Sequence, residues 1–377
     1  MMKPSIQQLL NSHFDNYRSQ VGVSFDQARA IRSIKVCRTQ SLGAHISTCD
    51  AGHVLGVWYN SCKHRSCPQC CALPQERWLL RVRSVLLDCP HHHMIFTLPA
   101  ELHPLWRFNR ERLAELLFTA VHRTLGAFSA DPKYLAAMPG VMSCLHTWGR
   151  DLSLHPHLHC LLTHGGLNEA GDWIAPRKAV LFPQKPLMMV YRGKLLAALR
   201  RALLADELAL PPGQSSQQCL NLCNQLGRKE WVVHCCQRYE HAAGVAKYLA
   251  RYIKGGPLRN SQLLSVSKSQ LRFRYQSHRT HTSAVAELSM ETFLQRWLEH
   301  VPTPGKASIR YLGLYSSGGR RKLNLARQYF GQTPVNLPQL LGWQQYIARN
   351  WPASAICKAC GAKLEHGSQV LPVRAAQ

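Results

Sequence analysis

HPHLH, His155 to His159, is the stretch from which the rest of the chain is read. A β-strand turns every second side chain to one face, so His155, His157 and His159 point one way while Pro156 and Leu158 point the other. Proline lacks an N–H and is confined to strand starts, edges and bulges. Regular pairing is therefore expected to begin after Pro156, with His157 and His159 the well-held pair. At about 3.3 Å per residue their Cα atoms lie about 6.5 Å apart, so both rings can reach one ion.

Outward from this row, VMSCLHTWGRDLSLHPHLHCLLTHGGL (141–167) reads as two apolar strands around a turn near Gly149-Arg150-Asp151. Upstream, HMIFTLP (93–99) has the composition of a buried strand ended by Pro99, and the histidines at 91–93 read mostly as a loop. Residues 106–127 place apolar side chains at 113, 116, 117, 121 and 125, the spacing of an amphipathic helix. The order strand, helix, hairpin predicts an α+β fold with the histidine row on the hairpin's second strand. Downstream, helices are expected at about 186–206 and 216–227, either side of a Pro-Pro-Gly break at 211–213, and then a strand at 230–235.

The next stretch carrying chemistry is KYLARYIKGG, with Tyr248 and Tyr252 one helical turn apart. From Ala242 to Lys254 no proline occurs, and Gly255, Gly256 and Pro257 then stop the helix. At 100° per residue Val245, Ala246, Leu249, Ala250 and Ile253 make an apolar arc, Lys247, Arg251 and Lys254 a basic one, and the tyrosines fill the gap. Bases that hold phosphates beside a phenol aligned as nucleophile suit attack on a nucleic-acid phosphate. Taken alone, such a pair reads more simply as two aromatics at the edge of a core. Beyond it, 271–278 reads as a strand, 289–301 as a helix, and 307–323 as a strand and a basic loop.

Lys and Arg number 46 against 20 Asp and Glu, a net charge of +26 with histidine neutral. That excess is opposite in sign to a nucleic-acid backbone and makes polyanions the expected partners. The N-terminal stretch lacks the apolar core of a signal peptide, and no run approaches a membrane span. A cytoplasmic protein, used at the nucleoid, is expected. Its 15 cysteines then read as metal ligands or small core residues rather than disulfides.

The densest ligand cluster is SLGAHISTCDAGHVLGVWYNSCKHRSCPQCC, between the helix-forming residues 1–35 with Cys37 and a linking helix at 74–88. Cys67-Pro-Gln-Cys70 is a CxxC knuckle. With Cys49 and His53 upstream it supplies two pairs on two turns, as a closed zinc site needs, and Cys62 competes as fourth ligand. One structural zinc is thus expected on four of Cys49, His53, Cys62, Cys67 and Cys70. Cys357 and Cys360 form an isolated CxxC in the tail, either half of a second knuckle completed by His366 or a distant residue, or two small side chains.

Histidine, hydrophobic residue, histidine on a strand, with a tyrosine on a later helix, resembles the HUH endonuclease superfamily of replication initiators, relaxases and single-strand transposases. Within it, LHTWGRDLSLHPHLHCLLTHGGL, YNSCKHRSCPQC, HMIFTLP and KYLARYIK together resemble the two-tyrosine rolling-circle transposases of the insertion sequence 91 family, over about residues 37–325. The resemblance implies an HUH-type antiparallel sheet flanked by helices, with a ferredoxin- or RRM-like core and an N-terminal zinc-binding module. It implies His157 and His159 as ligands of a catalytic magnesium or manganese, Tyr248 and Tyr252 as nucleophiles, and single-stranded transposon ends and target DNA as partners. Where the family commonly carries a CxxCG pair, Cys49 is followed here by Asp-Ala-Gly-His. The expected organisation is a zinc and DNA-recognition module at 1–88, a catalytic domain at 89–325 and a tail at 326–377.

Imidazole pairs favour zinc, copper or nickel by softness, so a third, oxygen-bearing ligand is expected, with His155 and His146 the nearest side chains. Other readings are a non-catalytic zinc-dependent DNA-binding protein, a zinc hydrolase, and an HUH replication initiator or relaxase.

Overall fold

The computed structural model describes residues 4–176, 179–241, 244, 246, 250, 256–277, 280 and 282–370. Helices α1 (Ile6–Gln20) and α2 (Phe25–Lys35) are each opened by a serine, Ser5 and Ser24, in a capping box that satisfies two backbone N–H groups. A hairpin of β1 (Ala44–Thr48) and β2 (Val54–Tyr59) follows, then α3 (Ala72–Val85), β3 (His91–Thr97), the short α4 (His103–Phe108) and the long α5 (Arg110–Ala130). Next come β4 (Gly140–Trp148), β5 (Leu154–Thr163), a small β6–β7 ribbon (Gly166–Leu167, Trp173–Ile174), α6 (Gln184–Leu204), α7 (Ser216–Leu226) and β8 (Val233–Tyr239). The remainder is β9 (Leu263–Val266), β10 (Gln270–Gln276), β11 (Ser283–Ser289), α8 (Met290–Glu299), β12 (Ile309–Gly313), α9 (Arg320–Tyr329), α10 (Trp343–Asn350) and β13 (Glu365–Val370).

The sheet that carries the histidine row is antiparallel, in the order β12–β4–β5–β3–β8, with β5 at its centre. A strand paired on both sides and covered on both faces is buried along its length, and β5 is buried from Pro156 to Thr163. One face carries Phe96, Leu158, Cys160 and Leu162 against α5, α6 and α7; Leu113, Leu116, Leu117, Val121 and Leu125, the positions read as the apolar face of α5, are all buried there. The long helix begins at Arg110 rather than at 106. Asn109 leaves helical geometry (φ −133°, ψ 37°), and its amide donates to the carbonyls of Leu105 and Ala209, closing α4 before α5 starts.

The opposite face carries Met142 and Leu161 beneath Leu79 and Val82 of α3 and Leu323 and Ala326 of α9. Part of the basic stretch expected as a loop after β12 is thus helical, because Leu323 and Ala326 are three apart on one side and bury there. A separate core joins α1 and α2 to the β9–β10–β11 sheet and α8, through Ile6, Leu10, Phe14 and Ile31 against Leu271, Phe273, Phe293 and Trp297. The tail turns back so that β13 lies beside β1, in the sheet order β13–β1–β2. The three expected segments therefore interleave: residues of the first pack on those of the second, and the third completes a sheet of the first.

The histidines read mostly as a loop at 91–93 are instead the start of β3, and all three are buried. His91 Nδ1 lies 2.7 Å from the Cys89 carbonyl and Nε2 2.7 Å from the Tyr315 hydroxyl, while His92 Nε2 lies 2.7 Å from His164 Nδ1. Each buried ring has polar partners, which is what allows histidine inside a strand.

Burial pushes His91 down to about 4, and His300 of the α8 terminus likewise to about 4. Both are neutral in the fold, whereas an unfolded histidine takes up its proton near pH 6.5. Stability is then full above pH 6.5 and falls as the pH drops towards 4, by on the order of 3 kcal/mol per group. The midpoint of thermal unfolding should decline across that window, and less steeply in His300→Gln. A midpoint flat from pH 7 to pH 4.5 would exclude the buried neutral rings.

Candidate metal centres

Pro156 acts as the sequence implies. The ladder to β3 begins with Thr97 opposite His157, and the ladder to β4 shifts register between His146 and Trp148. From there His157 and His159 stand on one face of β5, and His146, directly across from His157 on β4, stands beside them. His155 is exposed, on the far side of the bulge. The third near side chain is thus His146, an imidazole and not an oxygen donor.

Ring nitrogens of His146, His157 and His159 lie within 4.8 Å of one another, all three residues buried. Two nitrogens each about 2.1 Å from one ion sit about 3.0 to 3.4 Å apart for angles between 90° and tetrahedral. His157 Nε2 and His159 Nε2 are 3.0 Å apart. Their other nitrogens are held from behind: His157 Nδ1 lies 2.5 Å from the His155 carbonyl, and His159 Nδ1 lies 2.8 Å from His93 Nε2. With the Nε2 lone pairs turned to an ion, His157 Nδ1–H donates to that carbonyl and His159 Nδ1–H donates to His93. This outer hydrogen bonding fixes tautomer and ring plane in metal sites. Burial, reinforced by the neighbouring imidazoles, holds His146 and His159 well below the usual histidine range, so both offer lone pairs rather than charge.

Tyr248 and Tyr252, with Lys247, Arg251 and Lys254, lie outside the described residues. Three neighbours are described: Gly244, Ala246 and Ala250 are helical, and Ala246 and Ala250 are buried. Ala246 belongs to the cluster of Met142 and Leu161, on the face of the sheet that carries the histidines.

The five zinc candidates are not brought together. Cys49 and His53 sit in the turn between β1 and β2, whereas Cys62 follows the far end of β2. Six strand residues at about 3.3 Å put those points about 20 Å apart, too far for one ion. Cys62, Cys67 and Cys70 converge instead on Cys37, just beyond α2, and Cys49 and His53 converge on Cys357 and Cys360. In the first cluster Cys62 Sγ and Cys70 Sγ are 3.7 Å apart, and the backbone N–H of His64 points at Cys62 Sγ from 3.4 Å. Hydrogen bonding from the thiols of Cys62, Cys67 and Cys70 drives Cys37 strongly towards thiolate, the form that binds metal. Cys37 had no partner within knuckle spacing to mark it, and His93 was masked by its place in a run of histidines.

Residues 9–98 match a family described as "Transposase zinc-binding domain", and residues 140–322 match one described as "Putative transposase". The first match takes in the Cys37 cluster and the second His146, His157 and His159. Among solved structures, the metal-bound conjugative relaxase TrwC in complex with oriT DNA is 12% identical, covering 67% of this chain and 97% of that one, with a TM-score of 0.24. The "Transposase for insertion sequence element IS801" of Pseudomonas savastanoi pv. phaseolicola is 31% identical over 301 residues, 77% of this chain and 70% of that protein. The "Putative transposase y4qJ" of Sinorhizobium fredii is 32% identical over 341 residues, 88% of this chain and 85% of that protein. With relatives at this level across most of its length and a matching zinc-binding domain, the chain belongs to the insertion sequence 91 family of transposases.

Proposed function

We propose that this transposase nicks and rejoins single-stranded DNA, at transposon ends and target, through a 5′-phosphotyrosine, as the chemical step of rolling-circle transposition. The observation that carries the reading is the buried trio of His146, His157 and His159 on adjacent strands, in a chain whose relatives are transposases. A divalent ion held there would polarise the scissile phosphate and stabilise the departing 3′ oxygen. Of the two ions the resemblance implies, three imidazoles suit manganese better than magnesium, which takes oxygen ligands and gives up water reluctantly.

Tyr248 and Tyr252 are the nucleophiles in this reading, and Lys247, Arg251 and Lys254 hold the flanking phosphates. Burial of Ala246, two residues before Tyr248 in sequence, in the cluster of Met142 and Leu161 on the histidine face supports it. The step balances without ATP. A phenol oxygen forms a bond to phosphorus and gives up its proton, the bond from phosphorus to the 3′ oxygen breaks, and that oxygen takes a proton to leave as a free hydroxyl. The bond energy stays in the phosphotyrosine, so a 3′-hydroxyl from another strand can reverse the step and join ends. The +26 charge provides the polyanion affinity.

Single-stranded DNA labelled at either end and incubated with protein and manganese tests this. Protein must become covalently attached to the 5′ end of the cleaved strand, leaving a free 3′-hydroxyl. Cleavage without attachment would favour a metal hydrolase, and binding without cleavage a non-catalytic DNA-binding protein. Because His93 orients His159 from behind, His93→Ala should raise the manganese concentration for half-maximal cleavage by about 10- to 100-fold. His93→Gln, which keeps an acceptor, should recover most of it; equal requirements in all three proteins would remove His93 from the site.

A further inference from the structure

We propose that the chain carries a second zinc ion, held by Cys49 and His53 of the β1–β2 turn and by Cys357 and Cys360 of the segment before β13, which ties two stretches more than 300 residues apart into one ribbon. The site is independent of the nicking reading. Neither family match includes the second pair, since they end at residues 98 and 322.

Zinc at about 2.3 Å from sulfur and about 2.0 to 2.1 Å from nitrogen, in tetrahedral geometry, places sulfur atoms about 3.8 Å apart and sulfur and nitrogen about 3.5 Å apart. Cys49 Sγ is 3.6 Å from Cys360 Sγ, and His53 Nδ1 is 3.3 Å from Cys49 Sγ and 3.8 Å from Cys357 Sγ. All four donor atoms fall within 4.8 Å of one another. Four such donors from two distant stretches of chain, at the separations a tetrahedral ion sets, make a complete ligand set.

Each pair sits on a tight turn closed by two backbone hydrogen bonds and a left-handed glycine, the second turn one residue longer than the first. Gly52 N–H donates to the Cys49 carbonyl at 2.8 Å, Cys49 N–H donates to the His53 carbonyl, and Gly52 takes a φ of +79°. In the second turn Gly361 N–H donates to the Cys357 carbonyl at 2.9 Å, Cys357 N–H donates to the Ala362 carbonyl, and Gly361 takes a φ of +71°. Left-handed backbone of that kind is glycine's, and it turns the chain so that both ligands of a pair face inward. The strands then bring the turns together: β13 pairs antiparallel with β1, and Thr48 opposite Glu365 is the last rung before both of them.

Among the described residues, few side chains of this sheet are buried. Val54, Val57, Trp58 and Tyr59 of β2 are all more than a third exposed, while Cys49 and Cys357 are among the module's buried residues. A sheet of three short strands with so small a core draws its folding energy from a closed metal site. Three thiolates and one imidazole select zinc, and four protein ligands leave no open position, so the role is structural. The thiol protons pass to solvent as the ion binds.

The test counts zinc in the full chain by native mass spectrometry. Cys357→Ser with Cys360→Ser should bind one zinc fewer than wild type, Cys67→Ser with Cys70→Ser also one fewer, and the quadruple variant two fewer, whatever the histidine trio holds. His53→Cys should keep the wild-type count and His53→Ala lose one. Alkylation mapping supplies a second reading: in His53→Ala, Cys357 and Cys360 should become reactive while Cys67 and Cys70 stay protected. For a variant that does not fold, wild-type protein under graded chelation decides, with Cys49, Cys357 and Cys360 gaining reactivity in a single step. An unchanged zinc count in the Cys357 and Cys360 variant, or separate reactivity of Cys49 and the 357/360 pair under chelation, overturns the proposal.

Discussion

Replacing His157 with alanine is expected to abolish strand cleavage while leaving DNA binding nearly intact. His157 Nε2 stands 3.0 Å from His159 Nε2 and its Nδ1 is held from behind by the His155 carbonyl, so its removal takes away one of the three proposed ligands. Lewis-acid stabilisation of the developing charge amounts to several kcal/mol, and each 1.36 kcal/mol is tenfold in rate, so the loss should reach about 10³-fold or more. Affinity rests mainly on phosphate contacts by a chain of net charge +26, and should change little at fixed salt. Gel-shift and cleavage assays on one oligonucleotide separate the two effects. His159→Ala should behave alike, with some added loss of stability because that ring also partners His93. Normal cleavage by His157→Ala would show the site to be misassigned.

The second large effect is expected from the tyrosines. Removing one hydroxyl from an aromatic at a core edge costs about 1 kcal/mol at most and stops no chemistry, whereas removing it from a nucleophile ends covalent attachment. Tyr248→Phe with Tyr252→Phe should fold, bind single-stranded DNA and bind metal, yet form no adduct. Each single variant should retain part of the cleavage and fail at transposition if the two oxygens serve successive cuts. Tyr248, nearer the basic arc at Arg251, is expected to make the first cut. Peptide mapping of the trapped adduct checks the assignment, and a nucleotide on any other residue would end it.

The histidine row was legible because two local rules coincide there: alternation places His157 and His159 on one face, and Pro156 fixes where the ladder starts. The helix at α5 was legible for a similar reason, its apolar positions recurring at 3.6 residues. What depends on strand order was not. His93 reaches His159 only because β3 lies beside β5, and a run of three histidines gives no sign of that neighbour. The candidate zinc ligands group differently from their spacing for the same reason. Cys49 and Cys62 are close along the chain but stand at opposite ends of a hairpin, while Cys49 and Cys360, 311 residues apart, are 3.6 Å apart in space. Spacing identifies ligand pairs; topology decides which pairs share an ion.

The pairing of β13 with β1 also sets a timetable. On the ribosome, β1 and β2 emerge early, but the strand that covers the other side of β1 follows only after roughly 300 more residues, some 15 to 60 s at about 5 to 20 residues per second. For that interval β1 is an open edge, able to accept any extended segment that passes, including one from a neighbouring nascent copy. The last rungs of the N-terminal sheet therefore close only after every strand of the histidine-bearing sheet has been synthesised, so the sheet begun first is completed last.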